Sequence, residues 1–415
     1  MNDRVTGNMT IVVIGLGYVG LPLAVKFAEH YKIIGYDINK KRVTDLNEGR
    51  DWNNDVTNEQ LKKIENNITF TTDENEIGKG NIIIISVPTP LKPNNDPDLS
   101  YVESASRVVG KHIKKGAIVV YESTVYPGCT EEFCLPILEK ESKMKLGEFY
   151  IGFSPERMNP GDSAHSVDKI VKLISASHPE ALEKMRIIYS KITKTHSMSS
   201  IMAAESAKII ENVQRDINIA LFNELSMLFD KLGLDSSEVF DGAATKWNFI
   251  RYKPGLVGGY CIPVNPHYLA YKAHKIGFNP EFILAGRKTN DRMPIFIASK
   301  AKQLAPNGRV LIIGASYKEN VAELRSSRIK NLVEALQQEG FINMQIYEPL
   351  VSDQEVFGLK NETPSGKFDL IIYAVAHETL KDIQLEHLLE KNGAIIDIQR
   401  KLDRKKFDKI RYWAP

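Results

Sequence analysis

Cysteine is scarce in this chain: there are three in 415 residues, and none stands in the spacing of a zinc site or a disulfide framework. A reduced, cytoplasmic setting is therefore expected, one in which a thiol can act as a nucleophile, and no bound metal is expected. Long apolar runs are missing too, since stretches such as Ile82–Ile85 fall far short of the roughly 20 residues that cross a bilayer. The first ten residues, Met1–Thr10, are polar and lack the pattern of a signal peptide. Nor is there an excess of one charge. With 54 Lys and Arg against 52 Asp and Glu the formal net charge is +2, so nothing electrostatic favours nucleic acid or an anionic membrane as partner. Low-complexity segments and short-period repeats are absent.

What remains is an ordinary globular composition in a chain too long for one growing core, so two or three domains are expected. β-Branched runs at Thr10–Gly15, Lys32–Asp37, Asn81–Pro88, Ala117–Glu122 and Tyr150–Ser154 read as strands. Helical stretches such as Leu21–His30 and Val102–Lys114 separate them, which predicts a parallel, doubly wound α/β lobe. From Ile201 to Lys231 there is no Gly or Pro, and apolar residues recur at helical spacing (Ile209, Ile210, Val213, Ile217, Ala220, Leu221, Leu228). A helix of about 28 residues, roughly 42 Å long, is expected there as a spine. Beyond a Pro- and Gly-punctuated segment, Arg251–Pro266, helix resumes to about Gln303. A second α/β pattern then runs through Arg309–Gly314, Gln345–Glu348, Asp369–Ala374 and Ala394–Ile398. The expected architecture is two doubly wound lobes joined by a helical middle, with domains at 1–200, 201–303 and 304–415.

Several segments carry chemistry. Gly15-Leu16-Gly17-Tyr18-Val19-Gly20 lies between a strand and a helix, where glycines let a backbone turn approach a pyrophosphate at a helix N-terminus. Asp37 ends the next strand, about 20 residues on, placed to accept from a ribose 2′-hydroxyl and to repel a 2′-phosphate, which favours NAD over NADP. Val87-Pro88-Thr89-Pro90 and Glu122-Ser123-Thr124 fall at strand C-termini, where ligands of open sheets sit; the same hydroxyls would also serve as helix or turn caps. Gly258-Gly259-Tyr260-Cys261-Ile262-Pro263 sets a thiol in a glycine loop unsuited to core packing, unlike Cys129 and Cys134, which read as small buried apolar residues. Lys208 and Asn212 share a face of the long helix, and an ammonium near Cys261 would raise its thiolate fraction.

Taken with Ser154-Pro155-Glu156-Arg157, Ser316-Tyr317-Lys318 and Arg325, these segments make the chain resemble the UDP-glucose/GDP-mannose dehydrogenase family along almost its whole length. Glu122–Gly128 (ESTVYPG), Pro155–Gly161 (PERMNPG), Gln214–Ala220 (QRDINIA) and Lys246–Phe249 (KWNF) look like its UDP-N-acetylhexosamine branch, which serves bacterial surface polysaccharides such as capsule. The resemblance implies Rossmann-like lobes, a helical dimer-forming middle and a four-electron oxidation of a sugar C6 alcohol using two NAD. It implies Cys261 as nucleophile, Lys208 and Asn212 as stabilisers of the developing oxyanion, and Glu156, with Thr124 through a water, as base for thioester hydrolysis. It assigns NAD to Gly15, Gly17, Tyr18, Val19, Gly20, Asp37, Arg42, Thr89, Thr124 and Arg325. It assigns the UDP-sugar to Arg157, Lys208, Asn212, Arg251, Tyr252, Gly258, Gly259 and Lys318, with Arg251 reaching between subunits.

Two positions depart from the pattern. Tyr260 stands where the amino-sugar branch usually has His, a Tyr familiar in the UDP-glucose branch. Asn265, four residues after Cys261, stands where the family has Asp and keeps the shape without the charge, so slower hydrolysis is expected. UDP-glucose or UDP-N-acetylmannosamine as substrate, and a weakly active protein that binds NAD and UDP-sugar, stay open alternatives. A single-step alcohol dehydrogenase has no need of the loop cysteine.

Overall fold

The computed structural model describes residues 9–53, 55–157 and 168–415. The polar residues before Met9 and the Met158–Gly161 part of the PERMNPG segment lie outside them. By internal contacts the chain divides into two compact units, Met1–Glu211 with His267–Phe278, and Asn212–Pro266 with Asn279–Pro415.

The first unit is built on eight strands: β1 (Thr10–Ile14), β2 (Lys32–Tyr36), β3 (Ile68–Thr71), β4 (Ile82–Ile85), β5 (Ile118–Tyr121), β6 (Tyr150–Phe153), β7 (Lys172–Ala176) and β8 (Thr195–Ser197). Their order is β3-β2-β1-β4-β5-β6-β7-β8, parallel except where β6 meets β7. The first six follow the 3-2-1-4-5-6 order of a dinucleotide-binding sheet, whose ligand crevice opens where the order reverses, between β1 and β4. Strands buried on both faces need no alternation, which is why β4 can read Ile-Ile-Ile-Ile. Register fixes the site: Ile14 pairs with Tyr36 and Ile85, Ile85 with Tyr121, and Tyr121 with Phe153. Gly15, Asp37, Ser86–Pro90, Glu122–Thr124 and Ser154–Arg157 thus leave the sheet along one edge. The sequence reading omits β3, β7 and β8. β7 opens on a lysine, and β8 is three largely polar residues.

The second unit holds β9 (Val310–Ile313), β10 (Met344–Tyr347), a short β11–β12 hairpin (Glu355–Val356, Leu359–Lys360), β13 (Phe368–Tyr373), β14 (Leu389–Asp397) and β15 (Arg411–Trp413). The main sheet runs β10-β9-β13-β14-β15, all parallel, the other common doubly wound order. Ile313 pairs with both Tyr347 and Tyr373, so Gly314, Glu348 and the segment through His377 share an edge.

The spine is a single helix, Ile201–Lys231, of 31 residues, somewhat longer than expected. Gly233, at φ +71°, ends it, with Leu234 N–H closing back on the Phe229 carbonyl. Ile209, Val213 and Ala220 are buried, whereas Ile210, Leu221 and Leu228 are about half exposed. Among the described residues no helix is long and apolar enough to cross a membrane.

Candidate active site

The turn after β1 is shaped by space. Gly15 sits at φ +88°, its N–H on the Tyr36 carbonyl at 2.9 Å. A Cβ on Gly20 would lie 1.9 Å from the Gly15 carbonyl oxygen, so the helix Gly20–Ala28 can approach this turn only with glycine there. A Cβ on Gly17 would meet nothing within 4 Å, the open approach that a pyrophosphate needs. The Asp37 carboxylate is partly exposed and accepts from Leu16 N–H at 2.8 Å and Asn39 N–H at 2.8 Å, with lone pairs to spare for ribose hydroxyls. These residues fit NAD. Tyr18 is 42% exposed beside them. Arg42 is different: it is buried, with Nε on the Leu16 carbonyl at 2.9 Å and Nη1 on Asp51 at 2.6 Å. Its guanidinium braces the glycine turn from behind, with Trp52 over it at 5.2 Å. Thr89 is half-buried, and its carbonyl accepts from the Tyr268 hydroxyl at 3.0 Å.

Farther along the same edge lies a cluster that sequence reasoning only partly found. Glu122 is buried, accepts from the Tyr189 hydroxyl at 2.6 Å and forms a short ion pair with buried Lys172. The Lys172 ammonium also donates to the Pro155 carbonyl at 3.3 Å. Glu156 follows, partly buried, and its carboxyl is pushed above the usual range by burial, against the opposing pull of Lys208 and Lys172 and with help from Glu122 and Glu211. Arg157 is held by Glu211 at 2.6 Å and by the Val171 carbonyl at 2.7 Å. Val19, Leu23, Glu122, Glu156, Arg157, Ile170 and Lys172 enclose a cavity with room for about one water. Thr124 is half-buried just beyond β5, and Lys208 is buried on the spine helix. Asn212 lies one turn further along that helix, its amide nitrogen buried and without a hydrogen-bond partner among the described residues.

In the second unit the cysteine loop is locked at its carbonyl. The Cys261 oxygen accepts from Val264 N–H at 3.3 Å, from Asn265 N–H at 3.0 Å, and from the Asn265 side-chain amide at 2.8 Å. Cys261 itself is exposed, whereas Cys129 and Cys134 are buried. Gly259 donates to the Ser326 carbonyl at 3.0 Å, and a Cβ on Gly258 would lie 2.9 Å from that oxygen, which fixes why two glycines precede the tyrosine and cysteine. Asn265 therefore has a role that its sequence position did not reveal. It is buried and donates where an aspartate could not, while its own carbonyl oxygen has no partner among the described residues. Tyr252 accepts from Gln214 at 3.0 Å. Arg251 is engaged within its own chain, on Asp241 and on the Ser237 hydroxyl at 3.1 Å.

The turn after β9 carries Ser316-Tyr317-Lys318. Glu348, at the end of β10, accepts from Ala315 N–H at 2.7 Å, Ser316 N–H at 3.0 Å and Leu350 N–H at 3.0 Å. Buried His377 accepts from Asn320 N–H at Nδ1 (2.9 Å), which assigns the proton to Nε2, facing Glu348 at 2.9 Å. The Ser316 hydroxyl donates to the Lys318 carbonyl at 2.8 Å. Arg325 is exposed, paired with Glu323 at 2.6 Å, with its guanidinium 5.9 Å from the Tyr260 ring. Neither His377 nor Lys172 stands in any motif. Only the strand-end position of Glu348, matching that of Asp37, offered a signal. Among the described residues no group of three or more His, Cys, Asp or Glu could hold a metal.

Comparison with known proteins agrees with this geometry. The chain matches the UDP-glucose/GDP-mannose dehydrogenase family in its NAD binding domain over residues 9–193, its central domain over 202–292 and its UDP binding domain over 311–404. It is 42% identical to a UDP-N-acetyl-D-glucosamine 6-dehydrogenase of Pseudomonas aeruginosa, over 97% of this chain and 99% of that one. It is 44% identical to Protein CapL of Staphylococcus aureus, over 94% of this chain and 96% of that one. Among solved structures, a UDP-D-ManNAc dehydrogenase from Pyrococcus horikoshii superposes with a TM-score of 0.86 at 28% identity, covering 97% of this chain and 99% of that one. The chain belongs to the UDP-glucose/GDP-mannose dehydrogenase family. It is an NAD-dependent nucleotide-sugar dehydrogenase with a UDP-binding domain.

Proposed function

We propose that this protein oxidises the C6 alcohol of a UDP-N-acetylhexosamine, foremost UDP-N-acetyl-D-glucosamine, to the uronic acid, with Cys261 carrying the covalent intermediate. The observation that carries the mechanism is the exposed residue Cys261 in a glycine loop, its carbonyl clamped by three donors. The substrate is argued from relatives: UDP-N-acetyl-D-glucosamine 6-dehydrogenases of P. aeruginosa and Salmonella typhi are 42% and 43% identical to this chain. The P. horikoshii structure, named for UDP-D-ManNAc, is 28% identical. Similarity to CapL supports a place in surface polysaccharide synthesis, and the location we infer is the cytoplasm.

NAD supplies the hydride acceptor, once for each of the two oxidations. When the C6 alcohol has become an aldehyde, the Cys261 sulfur adds to its carbon and holds it as a thiohemiacetal. Loss of the second C6 hydride leaves a thioester. Water then adds to the thioester carbon and expels the thiolate, Glu156 taking the proton from the attacking water with Thr124 helping to place it. Burial raises that carboxyl and so makes it a stronger proton acceptor once ionised. Lys208 and the Asn212 amide, which has no partner among the described residues, give charge and a hydrogen bond to the oxyanion, an arrangement often worth several kcal/mol. Gly15, Gly17, Tyr18, Val19, Gly20, Asp37, Thr89 and Arg325 serve NAD, with Arg42 bracing the turn. Arg157, Arg251, Tyr252, Gly258, Gly259 and Lys318 serve the sugar nucleotide. The half-exposed residues Ile210, Leu221 and Leu228 form a stripe on the spine helix and favour pairing with a second copy.

Turnover of UDP-linked N-acetylglucosamine, N-acetylgalactosamine, N-acetylmannosamine and glucose side by side tests the substrate. The first is expected to be fastest, and a lead for glucose or N-acetylmannosamine would overturn the assignment while leaving the chemistry. Binding of NAD and UDP-sugar without NADH production would overturn both.

A further inference from the structure

Three side chains, Glu122, Lys172 and Tyr189, support the segment that carries Glu156, and none of them reaches the reacting atoms in the scheme above. Glu122 leaves the end of β5, Pro155 follows β6, and Lys172 opens β7. Among the described residues β6 and β7 are the one antiparallel pair in this sheet, so the start of β7 comes back toward the ligand edge where β6 ends. Lys172 is thereby placed to do two things: its ammonium pairs with Glu122 and donates to the Pro155 carbonyl at 3.3 Å. Tyr189, from the helix Pro179–Tyr189, donates to the other Glu122 oxygen at 2.6 Å and lies under the Lys172 ammonium at 5.5 Å from its ring centre. All three are buried, and the water-sized cavity beside them is lined by both Glu156 and the first turn of the dinucleotide helix.

Charges on three elements act on Glu156. Lys208 and Glu211 come from the spine helix, Lys172 from β7 and Glu122 from β5, while adjacent Arg157 is bound by Glu211. We propose that Lys172 and Glu122 act as positioning residues for Glu156, the pair fixing the Pro155–Glu156 backbone and setting opposite charges beside the carboxylate. The proposal rests on the reading of Glu156 as the base for thioester hydrolysis. Lys172 favours the ionised carboxylate and Glu122 opposes it, so each partner alone would bias the base in a different direction. A purely structural brace would not distinguish the sign of its two halves.

The test is the pH dependence of kcat for the full-length enzyme in four forms: wild type, Glu122→Gln, Lys172→Met and the double variant. The acid limb, where Glu156 gains its proton, is expected to move down by about one pH unit in E122Q and up by about one in K172M, and to return toward wild type in the double variant. Single variants whose limbs stay in place, or move the same way, would overturn the proposal. If K172M does not fold, E122Q decides alone: a limb that shifts down supports the proposal, and one that does not rejects it. Glu156→Gln is measured alongside and is expected to lower kcat by about 100-fold or more. Full activity there would remove the base assignment itself. A dead E156Q with unmoved limbs in the pair variants would reject only the positioning role.

Discussion

The two lobes begin with the same turn and then treat it in opposite ways. In each, a glycine of positive φ follows the first strand (Gly15 at +88°, Gly314 at +83°) and donates to a tyrosine carbonyl on the second strand, Tyr36 or Tyr347, at 2.9 Å. In each, an acid at the end of the second strand, Asp37 or Glu348, receives the next backbone N–H. There the likeness stops. Gly17 and Gly20 leave the first turn open, while Ser316 and Glu319 stand at the same offsets in the second, and Ser316 folds its hydroxyl back onto Lys318. Asp37 keeps part of its carboxylate in solvent, whereas Glu348 is 1% exposed and covered by His377. A shared fold is thus no evidence of a shared ligand. The second turn has spent its acid on holding its own loop.

One NAD per chain is the first consequence, and calorimetric titration checks it; a second dinucleotide site would break the comparison. The largest effect is expected from Gly20→Ala, whose Cβ would press on the Gly15 carbonyl. NAD affinity should fall by about 100-fold or more (~2.7 kcal/mol) in a fluorescence titration, with UDP binding kept. His377→Ala comes next. It leaves the buried Glu348 without its side-chain partner and frees the Asn320 amide, so unfolding should be easier by roughly 2 kcal/mol in a denaturant melt. KM for the UDP-sugar should rise with it, and NAD affinity should not change. Asp37→Asn is milder, because an amide oxygen still accepts from Leu16; about tenfold weaker NAD binding and poorer discrimination against NADP are expected. The smallest effect concerns acid. Burial alone would raise the Glu348 carboxyl, but hydrogen bonds from His377 and the amides of Ala315 and Leu350 outweigh it and leave it below the usual range. A group depressed on folding adds stability above its unfolded value, near pH 4.3, and that contribution is lost as pH falls through the folded value. Melting temperature should therefore drop below about pH 4 in wild type, with a shallower acid slope in His377→Ala.

Much of this was legible in the sequence, for reasons of period and spacing. The glycine turn, Asp37 and the long uninterrupted helix are local patterns, and the structure reproduces each. The loop cysteine could be singled out because glycines and a proline on either side are poor core. What could not be read is what long-range pairing creates. Lys172 meets Glu122 only because β7 runs antiparallel to β6. His377 meets Glu348 only because β13 and β10 both flank β9. Arg42 shows the same limit: its place near a nucleotide turn did not reveal its partners within the protein, Asp51 and the Leu16 carbonyl. Asn265 lacks the charge of the family pattern, and the sequence did not show that its amide also donates to the Cys261 carbonyl. Asn265→Asp is accordingly expected to lower turnover; a rise would show that charge, rather than loop geometry, limits the reaction there.

The central claim is that one thiol carries the sugar between two oxidations. It is tested most directly by counting NADH formed per UDP-N-acetylglucosamine consumed, in wild type and in Cys261→Ser. Two NADH per sugar in wild type, lost in the variant, is the expected result. One NADH per sugar in wild type, or an undiminished two in Cys261→Ser, would contradict it.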